Sequence, residues 1–62
     1  MLQENEEANE STLKVLGYEL AIGNQWFSYW TKGTEVLKLN EKTCRVDKIW
    51  ENVFLKLDYK PN

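Results

Sequence analysis

Few residues in this 62-residue chain could do chemistry. There is no histidine, so composition rules out an imidazole base, a Ser–His pair and a Cys/His metal site. The available nucleophiles are one thiol, Cys44, and the hydroxyls of Ser11, Ser28 and the threonines. Three scattered glycines make no phosphate-cradling loop. Two-carboxylate hydrolysis needs a cleft flanked by acids, and so short a chain has little room for one. The expectation is a non-enzyme with no cofactor and no catalytic or metal-binding residue.

Residues suited to binding are more plentiful. Gln25-Trp26-Phe27-Ser28-Tyr29-Trp30 holds four aromatics in six positions. On a strand, Trp26, Ser28 and Trp30 point one way while Phe27 and Tyr29 point the other. Only one set can be fully core, so the other either covers a small domain or contacts a partner, as exposed Trp and Tyr often do. Val36, Ile49 and Phe54 form a second apolar group, expected together on the face opposite the core. There they are either covered by a strand or the N-terminal arm, or they form a partner or homodimer surface.

These residues need elements to hold them. Residues 1–12 form an acidic arm: Glu4, Glu6, Glu7 and Glu10 stand without a basic residue before residue 11. Such a segment buries too little to offset its ordering entropy, so disorder, or at most a short helix, is expected. The rest carries eight Lys/Arg against six acids, an excess of two positive charges, in a chain of net charge −2. Arm and body are therefore oppositely charged. The arm reads as a solvated tail, a flap over the basic surface, or a mimic of nucleic-acid charge.

Residues 13–60 read as one domain. Leu16, Tyr18, Leu20 and Ile22 alternate as a strand would, with Gly17 marking a bulge. Strands then follow over 25–31, 34–39, 44–50 and 53–59, separated by Gly23-Asn24, Lys32-Gly33, residues 40–43 and Glu51-Asn52. A two-residue turn at Glu51-Asn52 sets Trp50 opposite Val53, Asp47 opposite Lys56 and Arg45 opposite Asp58. A turn over 40–43 sets Leu39 opposite Cys44 and Leu37 opposite Val46, which puts the thiol on the core face, where it would be inert. It also sets Lys38 opposite Arg45, a like-charge pair. The fold class expected is all-β: a small five-stranded antiparallel meander closed into a barrel.

Glu19-Leu20-Ala21-Ile22-Gly23-Asn24, Gly33-Thr34-Glu35-Val36 and Val46-Asp47-Lys48-Ile49-Trp50-Glu51-Asn52-Val53-Phe54-Leu55 resemble segments of small SH3-like barrels, the Tudor- and KOW-like modules among them. The opening run is also similar to short proteins of phages and mobile elements. The resemblance spans about residues 18–59, and its motifs are mostly structural. It implies an SH3-like barrel that acts by binding, in a lineage where small acidic proteins inhibit host factors. A methyl-lysine cage has no residue-by-residue counterpart here. The functional expectation is a protein-binding regulator or inhibitor using Trp26, Phe27, Tyr29, Trp30, Val36, Ile49 and Phe54. The alternatives are nucleic-acid binding by stacking and Lys/Arg contacts, or a homo-oligomerising structural subunit. No apolar run is long enough to span a membrane. The unpaired cysteine and the lack of a signal-peptide pattern suggest a cytoplasmic protein.

Overall fold

A computed structural model of the chain describes residues 2–53, and there Asn9 and Gly17 bracket a helix where alternation predicts a strand. The helix α1 spans Glu10–Val15. The Asn9 side chain accepts from the Thr12 amide at 2.8 Å and from the Thr12 hydroxyl at 3.0 Å, which caps the first turn. At the other end the Gly17 amide donates to the Lys14 carbonyl and the Tyr18 amide to the Leu13 carbonyl. This paired closure is the Schellman motif, and it needs a left-handed residue, which Gly17 supplies at φ 97°. Leu13 and Tyr18, the two side chains that such a closure brings together, are both in the core. Gly17 therefore ends a helix and marks no bulge.

Four strands follow: β1 (Glu19–Gly23), β2 (Phe27–Lys32), β3 (Glu35–Asn40) and β4 (Arg45–Trp50). They pair antiparallel in the order β1-β2-β3-β4, one open sheet in place of the expected closed barrel. Three different turns connect them. Asn24 Oδ1 accepts from the amides of Trp26 and Phe27 between β1 and β2. Gly33, at φ 62°, takes the first central position of the tight β2–β3 turn. Asn40 Oδ1 accepts from Lys42 and Thr43 in the β3–β4 turn.

The pairing across that last turn is two residues further along β4 than expected: Leu39 pairs with Val46 in place of Cys44, and Asn40 with Arg45. Cys44 sits in the turn at φ 59°, exposed, and not on the core face. Burial therefore does not silence its thiol. A bulge at Asp47 then shifts the ladder, so Leu37 pairs with Ile49 and Val36 with Trp50. Lys38 faces Lys48, not Arg45. A second bulge, at Ala21, separates the pairs Leu20–Trp30 and Ile22–Tyr29.

The chain does not turn back at Glu51-Asn52 to set Trp50 against Val53. The Val53 amide instead donates to the Thr34 carbonyl at 2.7 Å, extending the line of β4 alongside the start of β3. The fifth strand expected over 53–59 lies, from residue 54 on, outside the described residues.

The neighbour that β4 does have on its free side is the N-terminal arm. Asn5 donates to the Val46 carbonyl, Val46 donates to that of Glu6, and Ala8 donates to that of Cys44, with Glu7 bridged to Arg45. Leu2 and Ala8 are buried with Leu13, Tyr18, Trp30, Leu37, Leu39 and Val46, and Ile49 packs against this cluster. The arm is thus ordered from residue 2, against the expectation of disorder. Its two apolar residues and the edge of β4 supply the burial and hydrogen bonds that its glutamates cannot. Arm and helix together cover one face of the sheet, which we call the inner face.

Replacing Asn9 by Ala should cost about 1 kcal/mol through loss of the cap, and Gly17→Ala about 1 kcal/mol or more through its positive φ. Urea denaturation of the two variants measures both. A neutral result for each would mean that residues 10–15 are not helical.

Candidate functional site

Paired residues share a face, so the register sorts the side chains. Trp30, Ser28, Leu37, Leu39, Val46 and Ile49 point to the inner face. Ile22, Phe27, Tyr29, Val36, Lys38, Lys48 and Trp50 point to the outer one. Trp30 is fully buried, so of the aromatic run it is the core member and not a contact residue. Ile49, moved by the Asp47 bulge, leaves Val36 on the opposite face. The group Val36, Ile49 and Phe54 is therefore not assembled: its first two members are separated by the sheet, and Phe54 lies outside the described residues.

What the outer face does assemble is an aromatic surface. Tyr29 and Trp50 stack with ring centroids 6.3 Å apart and planes 24° from parallel. They reach each other diagonally across β3, from the row Ile22-Tyr29-Lys38-Lys48 to the row Thr31-Val36-Trp50. Lys38 lies at the centre. Its Nζ is 4.2 Å from the Phe27 ring centroid, 5.9 Å from that of Tyr29 and 3.6 Å from Asp47 Oδ2. The bulge that moves Ile49 inward also brings Asp47 to this lysine, which offsets the Lys38–Lys48 repulsion. Ile22 is 68% exposed and Trp50 36%, so both rows keep apolar surface in contact with water. Trp26 is exposed as well, in the turn before β2.

Trp50, Ile22 and Lys38 are the residues that strict alternation missed. A signal was present in Val46-Asp47-Lys48-Ile49-Trp50, where apolar residues stand three apart and then adjacent. A regular two-residue period cannot place Val46 and Ile49 on one face, whereas a bulge can.

Two polar clusters flank the core. The Trp30 indole N–H donates to Ser28 Oγ at 2.8 Å, and the Ser28 hydroxyl donates to Glu41 Oε2 at 2.5 Å. Ser28 is buried, and both its bonds serve the indole, so it acts as a structural bridge. A cleft of about 360 Å³ beside it is lined by Glu10, Leu20 and Glu41 among others. At the opposite end of the sheet the Tyr18 hydroxyl donates to Glu35 Oε2 at 2.7 Å, with Lys32 Nζ 5.5 Å from the Tyr18 ring centroid. Burial, then the hydrogen bond to Glu35 and its negative charge, push the Tyr18 hydroxyl up to about 12.

The acidic arm is engaged with the body. The Ile49 amide points at Glu4 Oε2 from 3.4 Å, Glu6 Oε1 accepts from the Gln3 amide, and Glu10 lies in the first turn of the helix. Among the described residues no three His, Cys, Asp or Glu side chains gather as metal ligands. None of the described helices is long and apolar enough to cross a membrane.

Two outcomes test this placement. Ser28→Ala strands the buried Trp30 N–H and should destabilise the fold by about 1–3 kcal/mol, whereas Trp50→Ala, on the outer face, should shift stability by less; thermal and urea melts decide. Tyr18 holds its proton more tightly folded than unfolded, so its contribution is complete below pH 10 and lost as pH rises from 10 to 12. Absorbance titration should show a late tyrosine that disappears in Tyr18→Phe and moves earlier in Glu35→Gln. Compared with protein families, with curated proteins and with solved structures, the chain matches none of them.

Proposed function

We propose that the protein is a non-catalytic binding module that engages a protein partner through the outer face of its sheet. The observation carrying this reading is the Tyr29–Trp50 stack, set among Ile22, Val36 and Phe27 on the face opposite the helix and arm. Rigid Tyr and Trp side chains offer large contact area at low entropic cost, as binding hot spots do.

A protein partner is favoured over nucleic acid by the state of the charges. Lys38, the cation at the centre of the face, is already held by Asp47 and by the Phe27 ring. Asp47 and the net charge of −2 also oppose a phosphate backbone. On this reading the protein is a small regulator or inhibitor of the partner it binds. A reducing compartment such as the cytoplasm suits the exposed, unpaired Cys44.

Immobilised wild type and a Tyr29→Ala/Trp50→Ala variant should be compared in nuclease-treated lysate. A protein retained by the wild type should bind the variant at least tenfold more weakly, a loss of about 1.4 kcal/mol or more. Equal retention would remove the outer face from the reading. Retention that disappears with nuclease, or single-stranded DNA binding that falls steeply with salt, would replace the protein partner with a nucleic acid.

A further inference from the structure

The two edges of the sheet are finished differently. The β1 edge carries a bulge at Ala21, which interrupts a regular ladder and discourages strand addition. The β4 edge carries a bulge too, at Asp47, and the arm pairs with the stretch before it, at Cys44 and Val46. Three backbone hydrogen bonds of 2.6–2.8 Å join residues 5–8 to Cys44 and Val46. Arg45 adds a bond from its guanidinium to the Asn5 carbonyl at 3.1 Å and faces Glu7 across the bridge. Leu2 fills an apolar seat in the core cluster. Backbone pairing, an acidic residue opposite Arg45 and a side chain in an apolar seat are what a sheet edge offers an extended peptide.

The arm is also built to come off. Two buried side chains, three backbone hydrogen bonds and two exposed bonds, from the Arg45 guanidinium and from the Ile49 amide, hold seven residues whose backbone ordering opposes docking. Its three glutamates, Glu4, Glu6 and Glu7, repel one another. A turn at Gln3–Glu6 with Asn5 at φ 70° breaks its regularity as a strand. Such a segment belongs to the least stable part of a fold.

We propose that the β4 edge is a strand-accepting site which residues 2–8 occupy in cis and yield to an extended, acidic segment of a partner protein. The arm is then an intramolecular competitor whose contacts describe the ligand: an acidic residue opposite Arg45 and an aliphatic residue in the Leu2 seat. The inference is independent of the outer face, since Tyr29 and Trp50 take no part in it.

The test uses the full chain in three forms: wild type, Leu2→Ser to loosen the arm, and Glu7→Cys/Arg45→Cys/Cys44→Ser oxidised to pin it. The probe is a fluorescent synthetic peptide of residues 1–9, read by anisotropy against a scrambled peptide of the same composition. The loosened chain should bind the probe at least tenfold more tightly than wild type. The pinned chain should bind none until it is reduced, and the scrambled peptide should fail throughout. Equal binding by all three forms, or by the scrambled peptide, would overturn the proposal, as would no binding to a loosened chain that keeps its fold. If Leu2→Ser unfolds, amide exchange in the wild type decides. The Val46 amide, held by the arm, should exchange at least tenfold faster than the amides of the β2–β3 ladder, and equal protection would overturn the strap.

Discussion

Trp30 must be covered, and its indole N–H must find a partner inside the cover; most of the architecture answers to these two demands. The ring lies in the middle of β2 on the inner face, flanked by Leu37 on the next strand. Four strands alone cannot bury it from above. Leu13 of a two-turn helix and Leu2 and Ala8 of the arm complete the cluster, which is why so short a chain spends its first eighteen residues on the cover. The N–H is satisfied by Ser28, two residues back on the same strand, and Ser28 in turn by Glu41 from the β3–β4 turn. Strand β2 and the β3–β4 turn are thereby tied to one ring.

The same arrangement divides the labour between the two faces. With the helix and arm both on the inner face, the outer face keeps Phe27, Tyr29 and Trp50, and the cation over the first two rings comes from the strand between. The bulge at Asp47 serves both sides at once: it turns Ile49 inward to the cluster and sets a carboxylate beside Lys38. Among the described residues no second layer lies over the outer face, and the open sheet holds its aromatic surface without closing into a barrel.

Much of the sheet was legible in the sequence because alternation and turn residues are local signals. β2, β3 and β4, the turn glycine at 33, the opposite orientations of Tyr29 and Trp30, and an antiparallel meander all follow from them. What alternation hid was whatever competes with it. Leu16, Tyr18 and Leu20 look like one strand face, yet Asn9 and Gly17 stand at the cap positions of a helix with Leu13 inside it, and the caps decide. The two bulges each invert the orientation of every residue beyond them, so an error of one residue at Asp47 moved Ile49 and Trp50 to the wrong faces. The arm escaped because composition averages over the segment, whereas docking depends on two side chains, Leu2 and Ala8, and on an unpaired strand edge that a linear reading does not contain.

Gly23 carries a consequence beyond its place at the end of β1. It pairs with Ser28, and a Cβ added there would lie 2.9 Å from the Ser28 Cβ, closer than two such carbons approach. Ser28 cannot withdraw without abandoning the Trp30 N–H. A side chain added at this exposed edge would thus be felt at the centre of the core, through Ser28 and its bonds to Trp30 and Glu41. Of these four residues only Ser28 and Trp30 are buried, so the coupling runs from the surface inward.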